Sequence, residues 1–405
     1  MRGIASFSAF LLASPIAVVL GAAGPDRVTR MDPPAKPGSM APNLSLDGAT
    51  VVLSWLEPAR PGAKPQDGDY ALRFSRLVTG RWTEPVTIAA GSDLFANWAD
   101  FPSVTGGAGG RMVAHWAAKS AADTYAYDVR LARSDDGGKT WRPMGPAHDD
   151  RTPTEHGFVS AVPEGDRIRT FWLDGRETGG GKGSMTLRTA LVGEHVEKAD
   201  LLDSRVCDCC QTAAAMTSGG AVVAYRDRSD HEFRDIALVR RGPGGWTAPR
   251  PVAAEEGWEI AGCPVNGPAV AASGRRAAVA WYTQGANRPR VQVAFSQDAG
   301  ASFAAPVVVD RNGPLGRVDV VLDENGDALV LWVASEGKAA AIRLARVTPA
   351  GKVGTALAVS ATETSRSSGF PRLERAGSNL VLAWVEPSEP FRVRAATLPV
   401  AAVSP

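Results

Sequence analysis

Four cysteines in the 405-residue chain are the side chains whose spacing most directly indicates chemistry. Three stand in Cys207-Asp208-Cys209-Cys210, and the fourth, Cys263, follows Cys210 after 53 residues. Thiolates are soft ligands, so these four residues could hold copper or zinc, with His156 as a further ligand. In an oxidising compartment they could instead form two disulfides, or remain reactive thiols. The residues alone leave these alternatives open.

Arginine side chains form a second group with chemical potential. Arg226 and Arg234 stand close together in the chain, and Arg317 and Arg372 each precede a later apolar stretch. The planar guanidinium can donate two parallel hydrogen bonds to a carboxylate, so it suits an anionic ligand. A solvated loop or a structural salt bridge is the simpler interpretation of any one of these charges. As a set, we expect the four to bind a carboxylate or a glycan.

Composition excludes several classes of protein. The chain carries 44 basic and 43 acidic residues, which argues against a nucleic-acid-binding protein because that function needs a concentrated basic face. With 44% apolar residues the chain can build a large core, so general disorder is excluded. Four cysteines are too few to hold a chain of this length together, so packing must stabilise the fold.

The N-terminus has the features of a secretory signal peptide. An early arginine is followed by an apolar stretch and then by Gly21-Ala22-Ala23. We therefore expect residues 1–23 to be cleaved and the protein to be periplasmic or secreted; an uncleaved anchor helix is the alternative. We expect no membrane span in the rest of the chain, and a monomer.

A repeat must position these side chains. An apolar stretch that ends in an aromatic residue recurs seven times, at intervals of 51 to 61 residues. The seven aromatic residues are Trp55, Trp116, Trp172, Tyr225, Trp281, Trp332 and Trp384. A weaker strand with a Gly-containing turn precedes each stretch, and an alternating strand follows it. Four short antiparallel strands per unit predict an all-β fold, a β-propeller of four-stranded blades, with seven blades favoured and six as the alternative.

The repeat also predicts the domain organisation. Residues 41–405 form a single propeller, and residues 24–40 form an N-terminal segment. The last unit lacks an outer strand, which the segment Arg27–Asp32 could supply, closing the ring. Cys210 and Cys263 are one repeat period apart and lead into neighbouring blades. We therefore expect the four cysteines to meet at the mouth of the central funnel.

Two segments have the same sequence pattern between the third and fourth strands of their units. They are Ser134–Trp141, reading SDDGGKTW, and Ser296–Phe303, reading SQDAGASF. In this pattern the Asp can accept backbone and hydroxyl hydrogen bonds, a Gly can adopt positive φ, and the aromatic residue packs under the hairpin.

These two segments resemble the Asp-box (BNR) repeats of the sialidase superfamily. The resemblance implies a propeller whose boxes lie at the outer edge, away from the active site. It also implies a substrate carboxylate held by three Arg, a Tyr nucleophile activated by a Glu, and an Asp that acts as acid and base. On this basis Tyr282, Glu232 and Asp100 are the candidate catalytic residues. The Arg-Ile-Pro motif of that family is absent here, where Met40-Ala41-Pro42-Asn43 occupies the matching region.

Two functional hypotheses follow from the sequence. The first is an exported sialidase-like propeller that binds or hydrolyses anionic glycans, as an exo-glycosidase, through an Arg-rich central funnel. The second is a non-catalytic propeller that binds a metal or another ligand through its cysteine cluster, or docks a partner.

Overall fold

Seven antiparallel sheets follow one another along the chain and close into a ring in the computed structural model. The structure describes residues 28–404 except 182 and 255. Each sheet is one blade, and the inner strands of neighbouring blades contact each other all the way round the ring. The prediction of a seven-bladed propeller is confirmed, and the six-bladed alternative is excluded.

Each of the seven aromatic residues of the repeat lies in the second strand of one blade. From the inner to the outer strand, the first three blades contain Met40–Asp47, Thr50–Pro58, Tyr70–Val78, Arg81–Trp82 and Val86–Gly91; Ser103–Gly106, Met112–Lys119, Tyr127–Ser134 and Arg142–Pro146; and His156–Glu164, Arg167–Asp174, Thr186–Val192 and Asp200–Asp203. Blades four and five contain Ala213–Thr217, Gly220–Arg226, Ile236–Gly242, Gly245–Trp246 and Arg250–Pro251; and Ala269–Ser273, Arg276–Thr283, Arg290–Ser296 and Val307–Asp310. Blades six and seven contain Pro314–Leu322, Ala328–Glu336, Ala339–Val347 and Leu357–Thr362; and Arg372–Ala376, Asn379–Glu386 and Arg392–Pro399.

The outer strand of blade seven comes from the N-terminal segment. Thr29–Arg30 pairs antiparallel with the third strand of that blade, placing Thr29 opposite Thr397. An ion pair of 2.9 Å between Asp32 and Arg394 continues the contact. The expected signal peptide, residues 1–23, lies outside the described residues.

Helical structure in the described part of the chain is limited to short 3-10 turns. They are Pro65–Asp67, Ala108–Gly110, Arg176–Gly181, Gly285–Asn287, Arg366–Ser368 and Val400–Ala402. None of the helices described is long and apolar enough to cross a membrane.

The tryptophans that mark the repeat fill the interior of the blades. Trp55 and Trp281 are almost completely buried. Each indole N–H still finds an acceptor, with Trp55 donating to Glu57 at 2.9 Å and Trp281 donating to Glu256 at 3.0 Å. A large apolar surface is thus removed from water without an unsatisfied donor, which explains why the second strand of most units ends in Trp.

The segments Ser134–Trp141 and Ser296–Phe303 form closed turns between the third and outer strands of blades two and five. In blade two, Asp136 accepts the backbone N–H groups of Lys139 and Thr140 at 2.9 and 3.0 Å and the Thr140 hydroxyl at 2.7 Å. In blade five, Asp298 accepts the Ser302 N–H at 2.9 Å. The hydrogen bond from the Ser302 hydroxyl lowers the pKa of Asp298 to about 2. These carboxylates therefore build turns.

The inner strands surround a central channel with a cavity volume of about 470 Å³. At one end of the channel the inner strands begin, and the linkers between blades and the loops between second and third strands reach the same end. We call this end the upper face. The cysteines and all the predicted site residues lie on it or at its rim.

Candidate functional site

A hydrogen-bonded Tyr–Glu pair lies on the upper face between blades two and three. Tyr127 opens the third strand of blade two, and Glu155 immediately precedes the inner strand of blade three. Their backbones form an isolated parallel bridge, which brings the side chains together. The Tyr127 hydroxyl donates to Glu155 Oε1 at 2.6 Å. Tyr127 is completely buried, whereas Glu155 is half-buried and so is the member of the pair that solvent can reach.

Asp100 completes this group, which we call the acid cluster: Asp100, Tyr127 and Glu155. Asp100 lies in the linker between blades one and two, is buried, and accepts the Phe158 N–H at 2.8 Å. Phe158 has a φ of 53°, an uncommon conformation for a bulky residue. A Cβ at Gly157 would lie 1.9 Å from Asp100 Oδ2, so only glycine allows the carboxyl to approach so closely.

The acid cluster holds its protons unusually tightly. Burial raises the pKa of Glu155 to about 8, and the nearby Asp100 charge adds to this effect. Burial likewise raises the pKa of Asp100 to about 7. The single hydroxyl proton of Tyr127 goes to Glu155, so it is not available to Asp100. At neutral pH at least one of these carboxyl groups therefore carries a proton, which is what a general acid needs.

Arg226 is placed in the wall between blades four and five, where its guanidinium is bound to backbone carbonyls. It donates to Asn266 O at 3.0 and 2.7 Å and to Tyr282 O at 2.7 Å, and it also binds Arg234 O. Its guanidinium carbon lies 4.6 Å from the centre of the Trp258 ring. The side chain is buried, so Arg226 joins blades and has little capacity to hold a ligand.

Arg317 is enclosed in the same way between blades six and seven. It donates to the Ser368 hydroxyl at 2.5 Å and to Ser365 O at 2.9 Å. Burial lowers its pKa to about 10, with a further contribution from the Arg366 charge. Arg366 itself is exposed and donates to Cys263 O at 3.3 Å.

Arg372 is the most open of the four predicted arginines. Its side chain remains 21% exposed and forms an ion pair of 3.3 Å with Asp319. The guanidinium lies 4.8 Å from the centre of the Phe101 ring, at the upper end of the channel. Of the four predicted arginines, Arg372 can thus still contact a ligand. The exposed Arg366, whose charge acts on Arg317, can do so as well.

The predicted Tyr282 and Glu232 do not form a nucleophile–base pair. Glu232 is bound by Arg228 and Arg234, each at 2.8 Å, and the contact with Arg228 lowers its pKa to about 2. Tyr282 packs edge-on against Trp258 at 5.5 Å. Among the described residues no hydrogen bond joins the two side chains. The Tyr–Glu pair of the upper face is Tyr127 with Glu155.

Three of the four cysteines, Cys207, Cys209 and Cys210, lie close together. The Cys207 Sγ lies 3.5 Å from the Cys210 Sγ and 4.0 Å from the Cys209 Sγ. Interaction with Cys209 lowers the pKa of Cys263 to about 7, so the fourth thiol also reaches the cluster. All four are free thiols in this structure, rather than the two disulfides considered above.

His156 lies in a separate cluster, contrary to its suggested role as a ligand beside the thiols. It stacks on His148 with ring centres 3.7 Å apart, and Asp150 binds both rings. Arg176 pairs with Asp174 at 2.8 Å next to them. The linker before blade three folds His156 into this buried group and away from the cysteines.

Sequence reasoning missed Tyr127 and Glu155. Both occupy positions that the propeller topology assigns to the upper face, the start of a third strand and the linker before an inner strand. Because both positions follow from the order of strands in a blade, the repeat could have pointed to them. The predicted Glu232 and Arg234 instead bind each other.

The chain matches no protein family model and no curated protein sequence. Solved structures are similar in fold. One is the polysaccharide lyase ulvan lyase bound to GlcA(1-4)Rha3S, with a TM-score of 0.56 and 11% identity, covering 91% of this chain and 93% of that chain. Another is an α-L-arabinofuranosidase from Fusarium graminearum in complex with an iminosugar inhibitor, with a TM-score of 0.52 and 13% identity, covering 93% and 98%.

A sialidase is also among the similar structures. The NanB sialidase from Streptococcus pneumoniae has a TM-score of 0.47 and 9% identity, covering 93% of this chain and 95% of that chain. The seven blades, together with the similarity to the lyase and the arabinofuranosidase, confirm the prediction of a β-propeller fold. Fold alone does not establish chemistry, which must be argued from the side chains.

Proposed function

We propose that this propeller binds and cleaves a glycan at the acid cluster, with Glu155 as the proton donor. The observation that carries the proposal is the half-buried Glu155 carboxyl, hydrogen-bonded to Tyr127 and packed near a second buried carboxyl. Two propellers of similar fold are an arabinofuranosidase and a polysaccharide lyase, which both act on carbohydrates. This similarity supports the choice of a glycan as substrate.

Glu155 has the properties of a general acid. Because its pKa is raised to about 8, it holds a proton at neutral pH that it can transfer to the oxygen of a glycosidic bond. As that bond breaks, a water molecule adds to the anomeric carbon, and the proton that the water gives up restores the acid. The carboxylate left behind accepts the Tyr127 hydroxyl proton in a hydrogen bond, which stabilises it. Tyr127 is completely buried, so it positions and stabilises Glu155 rather than contacting the substrate.

Asp100 also affects how firmly the Glu155 carboxyl holds its proton. Its charge would repel a charge on Glu155, so the two carboxyl groups favour a state in which one proton is retained. This arrangement keeps the acid protonated until a substrate oxygen accepts the proton.

We further propose that the glycan is anionic and that the protein acts after export. Arg372 and Arg366 lie on the same upper face and retain donors for a carboxylate, while Arg226 and Arg317 stabilise the ring around them. The export proposal depends on the sequence of residues 1–23 alone. A non-catalytic propeller remains the second candidate, because most of the predicted arginines are used by the fold.

A glycan panel with matched variants tests this proposal. The purified chain is incubated with sialosides, uronic-acid oligosaccharides and neutral arabinan, and new reducing ends are measured. Glu155→Gln should lower kcat/KM about 100-fold or more, the contribution typical of a positioned general acid. Glu324→Gln, an exposed carboxyl in the lower turn of blade six, is the control and should leave turnover unchanged.

Two results would reject the catalytic proposal. One is turnover that Glu155→Gln leaves intact. The other is tight binding of a glycan from the panel with no cleavage at any pH between 5 and 9, which would favour the non-catalytic candidate.

A further inference from the structure

The thiols of Cys207, Cys209 and Cys210 lie at separations suited to sharing one ion. All three Sγ atoms lie within 4.8 Å of one another, and two of the separations are 3.5 and 4.0 Å. Tetrahedral zinc with Zn–S bonds of about 2.3 Å places its sulfur ligands about 3.8 Å apart. A disulfide needs about 2.05 Å. The observed spacing thus matches sulfur atoms around a metal better than bonded pairs.

Donors on the protein side of the cluster are suited to thiolate sulfur. Arg234 Nη1 lies 3.1 Å from the Cys207 Sγ, and the Asn266 N–H donates to the Cys210 Sγ at 3.4 Å. Hydrogen bonds of this kind from outside the ligand set stabilise anionic sulfur and orient it. The neighbouring Arg228 adds positive charge and is paired with Asp208 at 3.0 Å.

The cluster is held by two blades. The Cys207 N–H donates to Arg226 O at 3.0 Å, and the Arg226 side chain in turn binds the carbonyls of Asn266 and Tyr282. The thiols are therefore fixed to the wall between blades four and five. A site of this kind needs little reorganisation to accept an ion.

An ion can enter from the solvent side. Cys207 and Cys210 are buried, Cys209 is half-buried, and Cys263 is exposed. The exposed Cys263 comes from the linker to blade five, three residues before Asn266, whose N–H donates to the Cys210 Sγ. An ion from solvent can therefore contact Cys263 and Cys209 before it reaches the buried Cys207 and Cys210.

We propose that Cys207, Cys209 and Cys210 bind one soft d10 metal ion, Cu(I) or Zn(II), with Cys263 available as a fourth ligand. The site is separate from the acid cluster, and its existence does not depend on glycan cleavage. The two ions differ in the ligands they need: Cu(I) is satisfied by three thiolates, whereas structural Zn(II) takes four ligands.

Metal titration of the full chain tests the proposal. The chain is reduced, stripped with a chelator and kept anaerobic. Cu(I) is then titrated in competition with bicinchoninate, and Zn(II) in competition with a chromogenic chelator. We expect one equivalent of one of the two ions. Cys209→Ser should weaken its binding by about 100-fold or more, since loss of even an outer-shell partner costs about 10- to 100-fold.

Cys263→Ser distinguishes the two ions. A zinc site should lose affinity in this variant as strongly as in Cys209→Ser, because its fourth ligand is gone. A three-thiolate Cu(I) site should keep its affinity within about 3-fold, since the remaining ligand set is complete. Wild-type chain that binds neither ion more tightly than Cys209→Ser would overturn the proposal.

Alkylation of the wild-type chain gives a test that does not depend on how a variant folds. The reduced, folded chain is treated with N-ethylmaleimide with and without the metal, and its mass is measured. Bound metal should protect Cys209 from modification. Equal labelling of Cys209 in the two samples would overturn the proposal.

Discussion

The upper face of this propeller has a basic side and an acidic side, and their charged groups are treated in opposite ways. On the basic side, Arg226 and Arg317 are surrounded by carbonyl and hydroxyl oxygens. On the acidic side, Asp100 and Glu155 are packed near each other around the single hydroxyl of Tyr127. The two arginines have hydrogen-bond acceptors for nearly all of their N–H groups. The two carboxyl groups have too few hydrogen-bond donors.

The difference shows why charge content alone is a poor guide to a binding site. A buried guanidinium has five donors and is stable only where acceptors surround it, so a buried arginine commonly becomes part of the framework. Two carboxyl groups buried together cannot both ionise at little cost, so they retain a proton. A carboxyl group that retains its proton can act as a general acid. The acidic side is therefore the stronger candidate for a catalytic site.

The largest expected effect is a loss of unfolding free energy when an arginine on the basic side is replaced. Arg226→Met should lower the free energy of unfolding by about 3 kcal/mol or more, because the carbonyls of Asn266 and Tyr282 lose their donors inside the wall. Denaturant unfolding measures the loss. Arg366→Met, at an exposed arginine, should stay within about 0.5 kcal/mol of wild type. If Arg226→Met unfolds with the same free energy as wild type, the arginines of the basic side are not part of the structural framework.

The next effect is a pH dependence on the acidic side. The folded pKa of Asp100, about 7, lies above its unfolded value of about 3.9, so the folded state binds the extra proton and stability falls as pH rises between these values. Asp100→Asn removes this loss. Relative to the variant, wild type should lose on the order of 2 kcal/mol of unfolding free energy between pH 5 and pH 8.

Unfolding curves at several pH values measure this difference. Asp166→Asn is the control, since Asp166 is 73% exposed and should give the wild-type pH profile. Parallel profiles for wild type and Asp100→Asn would mean that the buried carboxyl titrates normally, and the contrast between the two sides would fail.

The smallest effect concerns the arginine that the fold leaves open. Arg366→Ala should weaken binding of a carboxylate-bearing glycan by roughly 1.5- to 5-fold, the range for an exposed ion pair, and the loss should shrink at high salt. Binding of a neutral glycan should be unchanged. Isothermal titration with a matched uronic-acid and neutral oligosaccharide pair measures both, and equal losses for the two would argue against anion recognition here.

Much of the fold was predictable because it depends on local, repeated signals. Seven apolar strands ending in an aromatic residue recur at similar intervals, and each encodes the same four-stranded unit. The two turns at Ser134–Trp141 and Ser296–Phe303 were also predictable, since Ser134, Asp136 and Thr140 make their hydrogen bonds within a few residues of one another. The same periodicity places Cys263 in the linker before blade five, where Asn266 donates its N–H to the Cys210 Sγ.

The candidate site was predictable only in part. Asp100 was among the predicted residues, but the neighbouring Tyr127 and Glu155 come from a different strand and a different linker. Their contact depends on how blades two and three are rotated against each other. Arg226 was chosen for its charge, yet its environment is formed by carbonyls about 40 to 56 residues away in the chain.

The sequence by itself determined the repeated four-stranded blades and the turns of Ser134–Trp141 and Ser296–Phe303, because strand periodicity and turn chemistry act over short stretches of chain. Only the tertiary structure decided which charged groups are satisfied and which are not. Burial and the identity of partners across blade boundaries set the pKa of Glu155 and use up the donors of Arg226. Those quantities depend on distances between remote segments, which residue types along the chain do not contain.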